Sequence, residues 1–416
     1  MNRRYFLKQT SAMAALAVSG CSSPVDSAVK LERAAAERLG DFINKEMLAR
    51  HIPGLSVCLI SRSELLWQQS FGFADLDTQT PTTADHVQNI ASISKTFTTA
   101  AAMQQVEVGA LDLDADVNDY LPYSIRNPNH PDLPITVRML MHHTSSLTDG
   151  AVYGAYYRCG DPDMSLGEWL EAYFSEQGQF YNRDENFLAS RPGESYSYCN
   201  TSFGLLGHLV EVVTGQRLPD YSKQNLFDPL GMSSTAWMVA DVADKPTTTP
   251  YTWVENERAR GPSWGGIPLG VITSGGPTLE KPLKNGYSAN CLYNHPNYPD
   301  GFLRTSLNDL SKWARLWLGD GSLAGKRILK PETTLQMFVG HSPEKGSDEL
   351  QGLTWYSGGT IGGRRTWGHT GSDPGVSTAM LLIRELGLAA VVMTNTNGAR
   401  PIDFAEEILR EAVTEI

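Results

Sequence analysis

The chain has 416 residues, 41% of them hydrophobic and 19% charged, and a formal net charge of −12. That is enough chain to bury a large core, in two or three ordinary domains or one elaborated domain. The first twenty residues contribute +3 through Arg3, Arg4 and Lys8, so the rest carries −15. An acidic body without a basic cluster disfavours nucleic acid as a partner.

Residues 1–21 read as an export signal. "MNRRYFLKQT" is positively charged, and the apolar "SAMAALAVSG" that follows is too short to span a bilayer. Arg3-Arg4-Tyr5-Phe6-Leu7-Lys8 resembles a twin-arginine export signal, and Val18-Ser19-Gly20-Cys21 resembles a bacterial lipobox with Cys21 as the lipidated residue. A simple cleaved secretory signal is the alternative. Residues 22–29 read as a tether, which implies a body held to a bacterial membrane through Cys21 and facing the periplasm or cell exterior. The longest later apolar run, Thr378 to Met393, is interrupted by Arg384 and Glu385.

Leu31 to Leu48 has helical apolar spacing. After Pro53-Gly54, "LSVCLI" and "ELLWQQSFGFA" predict two antiparallel strands. "SKTFTTAAAMQQVEVG" predicts a helix ending at Gly109. Short helical patterns and loops follow to about residue 245, then irregular chain to about 300. "SLNDLSKWARLWLG" is an amphipathic helix, and four strand-like segments follow from about 351, with "RRTWGHTG" ending before a turn at Ser372-Asp373-Pro374-Gly375. A last helix opens near Pro401. The expected fold is α/β (α+β). Residues of about 30–90 and 300–416 form an antiparallel sheet flanked by helices, and residues 91–299 form an inserted, mostly helical subdomain.

With Cys21 set aside, Cys58, Cys159, Cys199 and Cys291 allow three full connectivities, and the sequence does not choose among them. His142-His143 lacks metal-type spacing.

Three motifs carry chemistry. Ser92 and Lys95 are three apart at a helix start, so they share a face about 5–6 Å apart. There a buried lysine can lose its proton and serve as base for the serine. Ser94 points elsewhere on the same helix. The pattern is weak alone, since Ser27–Lys30 and Ser342–Lys345 also match it. Tyr198-Cys199-Asn200 supplies a phenol for proton work and an amide able to hold a carbonyl and the lysine together. Looser matches begin at Ser288 and Ser306. His369-Thr370-Gly371 ends a strand, with Gly371 admitting a close substrate backbone and the Ser372 N–H available as an oxyanion donor beside that of Ser92.

In order and type, these motifs resemble those of the serine β-lactamase and penicillin-binding protein family. The tyrosine points to its class C β-lactamase-like branch of D-aminopeptidases, D,D-carboxypeptidases and esterases. "HIPGLSVCLI", "LDLDADVNDYLP", "ITVRMLMHHTSSL", "RPGESYSYCNTSFGLLGHLVEVVTG", "LFDPLGMSST" and "WGHTGSDPG" are similar to family segments as well. The resemblance implies a β-lactamase/transpeptidase-like fold and a serine hydrolase that acylates Ser92. Lys95 and Tyr198 would share the proton work. Asn200, His369, Thr370 and Gly371 would bind substrate, and the backbone N–H groups of Ser92 and Ser372 would hold the oxyanion. It implies a small-molecule or peptide substrate, no cofactor and no metal, and leaves oligomeric state open.

Two departures stand out. His369 replaces the family's lysine, which favours a peptidase or esterase over a β-lactamase. Ser146 replaces a glycine. A Cys159–Cys199 bridge is expected from the loop-rich setting of Cys159. The segment "YNHPNYPDGFLRTS" is read either as one wall of the site or as a surface loop. A carboxylesterase with little peptidase action, and a non-catalytic penicillin-binding or sensor protein, are the competing functions.

Overall fold

The computed structural model describes residues 31–253, 271–273, 276–278, 285–341 and 349–414. The expected export signal with Cys21, the tether, and the serine–lysine matches at Ser27 and Ser342 lie outside them. The sheet has eight strands: β1 (Gly54–Ser61), β2 (Leu65–Asp75), β3 (Thr80–Pro81), β4 (Leu350–Gln351), β5 (Tyr356–Ser357), β6 (Trp367–Asp373), β7 (Val376–Ile383) and β8 (Leu388–Thr394). Their order is β4-β5-β6-β7-β8-β1-β2-β3, with antiparallel pairing throughout. The two ends of the chain meet where β1 pairs with β8, Leu55 opposite Thr394 through Ser61 opposite Leu388.

Successive strand residues face opposite sides, and both faces of β1, β7 and β8 are covered, so these three strands are predominantly apolar. Leu55, Val57 and Leu59 of β1 join Leu39 and Ile43 of α1 (Arg33–Ala49) in one apolar layer; Phe404 and Ile408 of the C-terminal helix (Pro401–Thr414) complete it. Cys58 and Ile60 face the other layer with Phe97 of α2 (Ser94–Glu107), Phe203 of α3 (Thr201–Thr214) and Trp313 of α4 (Leu307–Leu318). Trp313 stacks on Phe97 at 3.8 Å and donates its indole N–H to Thr96 Oγ1 at 2.9 Å. That contact seats the start of α2 against the sheet side of the molecule.

Two short strand pairs bring distant segments to the same place. Asn89 pairs with Arg304, and Cys159 with Tyr293. The second pairing corrects the expected Cys159–Cys199 bridge: the disulfide is Cys159–Cys291, with Cα atoms 5.7 Å apart, while Cys58 and Cys199 are free and buried. Cys199 is held at the start of α3, 3.1 Å from Thr201 Oγ1. The segment from Tyr293 to Ser306 is not a surface loop: it is buried throughout, and its Asp300 carbonyl reaches Lys95 of α2. Strand β6 also runs two residues beyond the expected end, through Asp373, and the turn is Pro374-Gly375 alone.

Candidate active site

Ser92 lies in a short turn, Ala91–Ile93, immediately before α2. Ala91 has φ +47°, a left-handed conformation that costs a non-glycine residue roughly 1–2 kcal/mol. Three contacts hold it. The Ile90 N–H donates to Leu303 O (3.0 Å), Thr378 Oγ1 donates to Ile90 O (2.7 Å), and the Ala91 N–H donates to Asn89 Oδ1 (2.8 Å). The turn aims Ser92 Oγ at Lys95, whose Nζ is 3.0 Å away. Ser94 is fully buried on another side and accepts the Leu303 N–H at 3.0 Å.

Lys95 has no exposed surface. Its Nζ also donates to Asn200 Oδ1 (2.8 Å) and to the Asp300 main-chain carbonyl (2.7 Å), and it lies 4.9 Å above the Tyr198 ring and 5.5 Å above that of Phe203. Desolvation lowers its pKa. Attraction to Asp300, whose carboxylate is 3.8 Å away, and to Asp149 and Asp373 opposes the shift without cancelling it. Donor counting fixes the consequence. Two of the three partners are acceptors only, so a neutral amine spends both N–H groups on them and turns its lone pair to Ser92.

Asn200 is free to serve Lys95 because it does not cap its helix. Asp149 does that work, accepting the N–H groups of Asn200 and Thr201 at 2.8 Å each and satisfying orphan donors at the start of α3. Tyr198 is 38% exposed, with its hydroxyl turned toward Ser92. Burial raises its phenol pKa, and the Ser92 contact works against the rise. The ring stacks on His143 at 4.3 Å. His143 Nδ1 accepts the Cys199 N–H at 3.1 Å, so its proton sits on Nε2, and burial keeps it neutral. His143 thereby holds the tyrosine and the backbone beside it.

His369 is 3% exposed, and burial with Lys95 nearby lowers its pKa to about 3. Its Nδ1 lies 2.7 Å from Thr370 O. A carbonyl only accepts, so Nδ1 carries the proton and Nε2 is a neutral acceptor. Tyr356 donates to Thr370 Oγ1 at 2.7 Å. At Gly371 the protein's own backbone makes a close approach. A Cβ there would lie 2.4 Å from Ile90 O and 3.0 Å from Ala91 Cβ, so glycine lets β6 close on the Ser92 turn. The two-residue turn makes Asp373 and Val376 the pair that exchanges hydrogen bonds. By alternation Ser372, opposite Ser377, points its N–H off the outer edge of β6.

Sequence spacing gave no sign of Asp149, Asp300, Asp373, Asn89 or His143. Each acts through a long-range contact, and only the turn-type "TDG", "PDG" and "SDPG" contexts mark the three carboxylates. Ser146 keeps the glycine-like backbone, at φ +62°, while its Oγ accepts from Asn127 Nδ2 at 2.9 Å.

The buried carboxylates set a pH dependence. Burial pushes Asp300 up to about 6 and Asp373 up to about 7 from 3.8. A carboxyl whose folded pKa is raised favours folding while protonated, so stability is lost as pH rises from about 4 through 7. Thermal melts are expected to show that fall, and a smaller one in Asp373→Asn. An equal fall in the variant would exclude Asp373 as a source.

Comparison with known proteins shows the family of the chain. A family model described as beta-lactamase matches residues 31–414. Protein flp of Staphylococcus aureus (strain N315) is 21% identical over 392 residues, covering 93% of this chain and 68% of that protein. A D-aminopeptidase of Brucella anthropi is 34% identical over 223 residues, 52% of this chain and 39% of that protein. The crystal structure of D-amino acid amidase from Ochrobactrum anthropi SV3 superposes with a TM-score of 0.67 at 21% identity, covering 92% of this chain and 98% of that one. The family model spans both halves of the sheet and every segment that meets at Ser92, and the chain belongs to the beta-lactamase family.

Proposed function

We propose that the protein is a serine hydrolase that cleaves a small amide, peptide or ester through an acyl-enzyme on Ser92. The observation that carries this reading is the coordination of Lys95: two fixed acceptors and, at 3.0 Å, the Ser92 hydroxyl. Ser92 Oγ attacks the substrate carbonyl carbon as its proton passes to Lys95 Nζ. The oxyanion is received by the N–H groups of Ser92 and Ser372. The tetrahedral intermediate collapses, the C–N or C–O bond breaks, and the leaving group takes a proton from the Lys95–Tyr198 pair. Water then attacks the acyl carbon, giving a proton to the same pair, and Ser92 is released with its hydrogen restored. Asn200, with Oδ1 on Lys95, has its amide N–H left for the substrate.

The substrate class follows from charge. His369 stays neutral, and Lys95 is committed to proton transfer, so among the described residues these two motif side chains offer a substrate carboxylate no permanent cation. The similarity to a D-aminopeptidase and a D-amino acid amidase supports amides of amino acids. The neutral His369 supports a second reading, a carboxylesterase with little peptidase or β-lactamase action. A panel of D-amino-acid amides and peptides, p-nitrophenyl esters and β-lactams decides between them. Turnover of amides or esters with poor β-lactam hydrolysis is expected. Failure of every substrate, together with failure of a fluorophosphonate to acylate the protein, would overturn the hydrolase reading and favour a non-catalytic role.

The charged start, short apolar run and Cys21 support export, by the twin-arginine route, and a lipid anchor on a bacterial membrane. An alkyne fatty acid should label the protein in cells and fail to label Cys21→Ala. Equal labelling of the two would remove the anchor from that position.

A further inference from the structure

The two backbone donors assigned to the oxyanion belong to segments far apart in sequence, the turn before α2 and the end of β6. We infer that a single side-chain bridge, Asn89 to Asp373, sets the spacing between those donors, which makes Asn89 and Asp373 positioning residues for the oxyanion site. The inference rests on the acyl-enzyme reading above.

The bridge starts one peptide from each donor. Asn89 Oδ1 accepts the Ala91 N–H at 2.8 Å, and Ala91 precedes Ser92. Asn89 Nδ2 donates to Asp373 Oδ2 at 3.0 Å, and Asp373 follows Ser372. The orientation of the amide is forced, because the Ala91 N–H can only donate and therefore faces the oxygen. Asn89 and Asp373 are each 6% exposed, so water does not replace either contact. Asparagine suits this position because one short, planar, uncharged group offers an acceptor and a donor side by side.

Each end of the bridge is anchored behind. Asn89 is paired with Arg304. Asp373 Oδ1 accepts the Tyr157 hydroxyl at 2.9 Å, and the next residue's carbonyl, Pro374 O, accepts that of Tyr293 at 2.7 Å. Tyr157 precedes the strand pair beside the Cys159–Cys291 disulfide, and Tyr293 belongs to it. The Gly371 approach to Ile90 fixes how closely β6 lies on the turn. The bridge fixes where the end of β6 stops relative to Ala91, whose left-handed conformation has no glycine to ease it. An oxyanion site acts on the transition state, so a shift in donor spacing lowers kcat more than it changes KM.

The experiment uses the full chain and an ester or amide that the wild type hydrolyses, with a boronic acid as transition-state analogue. Asn89→Ala is expected to lower kcat about 10- to 100-fold, below the roughly 10²–10³ for losing a donor outright, with KM nearly unchanged and boronic acid affinity falling by the same factor. Asn89→Asp, which sets two carboxyls face to face, should behave likewise. The exchange Asn89→Asp with Asp373→Asn restores an acceptor for Ala91 and a donor between the two side chains, and should recover most of the kcat lost in Asn89→Asp. A folded Asn89→Ala with unchanged kcat, or an exchange variant that folds but recovers nothing, overturns the inference. Should Asn89→Ala fail to fold, the comparison of Asn89→Asp with the exchange variant decides. Activity surviving in Ser92→Ala would instead overturn the acyl-enzyme reading.

Discussion

Ser92→Ala is expected to lower kcat/KM by on the order of 10⁴-fold or more and to abolish labelling by a fluorophosphonate. Removing the hydroxyl leaves Lys95, Asn200 and the backbone donors in place, so the variant should still bind substrate and fold. The contrast is Ser94→Ala. Its hydroxyl accepts the Leu303 N–H inside the core, and that buried donor would be left unpaired. A loss of about 1–3 kcal/mol in stability is expected, with labelling retained. Equal labelling of wild type and Ser92→Ala would sink the assignment of the nucleophile. Loss of labelling in a folded Ser94→Ala would do the same for the distinction between the two serines.

Lys95→Arg should lower kcat by about 10²–10⁴-fold although it keeps the positive charge. A guanidinium does not give up its proton in a protein, so no lone pair ever faces Ser92. The wild-type pKa is lowered by desolvation, and the ammonium form is inactive as base. The rate should therefore rise with pH as Lys95 loses its proton, along a limb that begins below the usual lysine range. In Lys95→Met, a variant of similar length, that limb should disappear and the residual rate should not be restored at high pH. Asp300 is already pushed up to about 6 beside the lysine, and without the cation it should hold its proton to still higher pH. A Lys95→Arg enzyme within tenfold of wild type would mean that charge, not proton transfer, is what Lys95 supplies.

What the sequence disclosed was local. The i, i+3 relation of Ser92 and Lys95 follows from backbone periodicity, and the structure puts the two atoms 3.0 Å apart even though Ser92 precedes α2 rather than opening it. Apolar runs disclosed β1, β7 and β8 because both faces of those strands are covered. The rest depends on chain closure. Nothing in "YNHPNYPDG" shows that the Asp300 carbonyl will meet Lys95, 205 positions away. The disulfide follows a two-residue strand pair that no periodicity marks, so the sequence does not single out Cys291 over Cys199 as the partner of Cys159. Asn200 occupies the N-cap position of α3, and only Asp149, 51 positions away, frees its side chain for Lys95 by doing the capping.

The 2.7 Å contact from Lys95 to Asp300 is made by the main chain. A codon change at 300 alters the carboxylate and leaves that oxygen where it is, so an alanine scan reports on only half of what this residue does. The acceptor can be reached by changing the peptide link itself. An α-hydroxy acid placed at 301 converts the Asp300 carbonyl from amide to ester, a weaker acceptor, and forfeits only the long Gly301 N–H contact to Tyr298 O (3.3 Å). Backbone chemistry, rather than a mutant library, is the tool that would weigh how firmly the base is tethered.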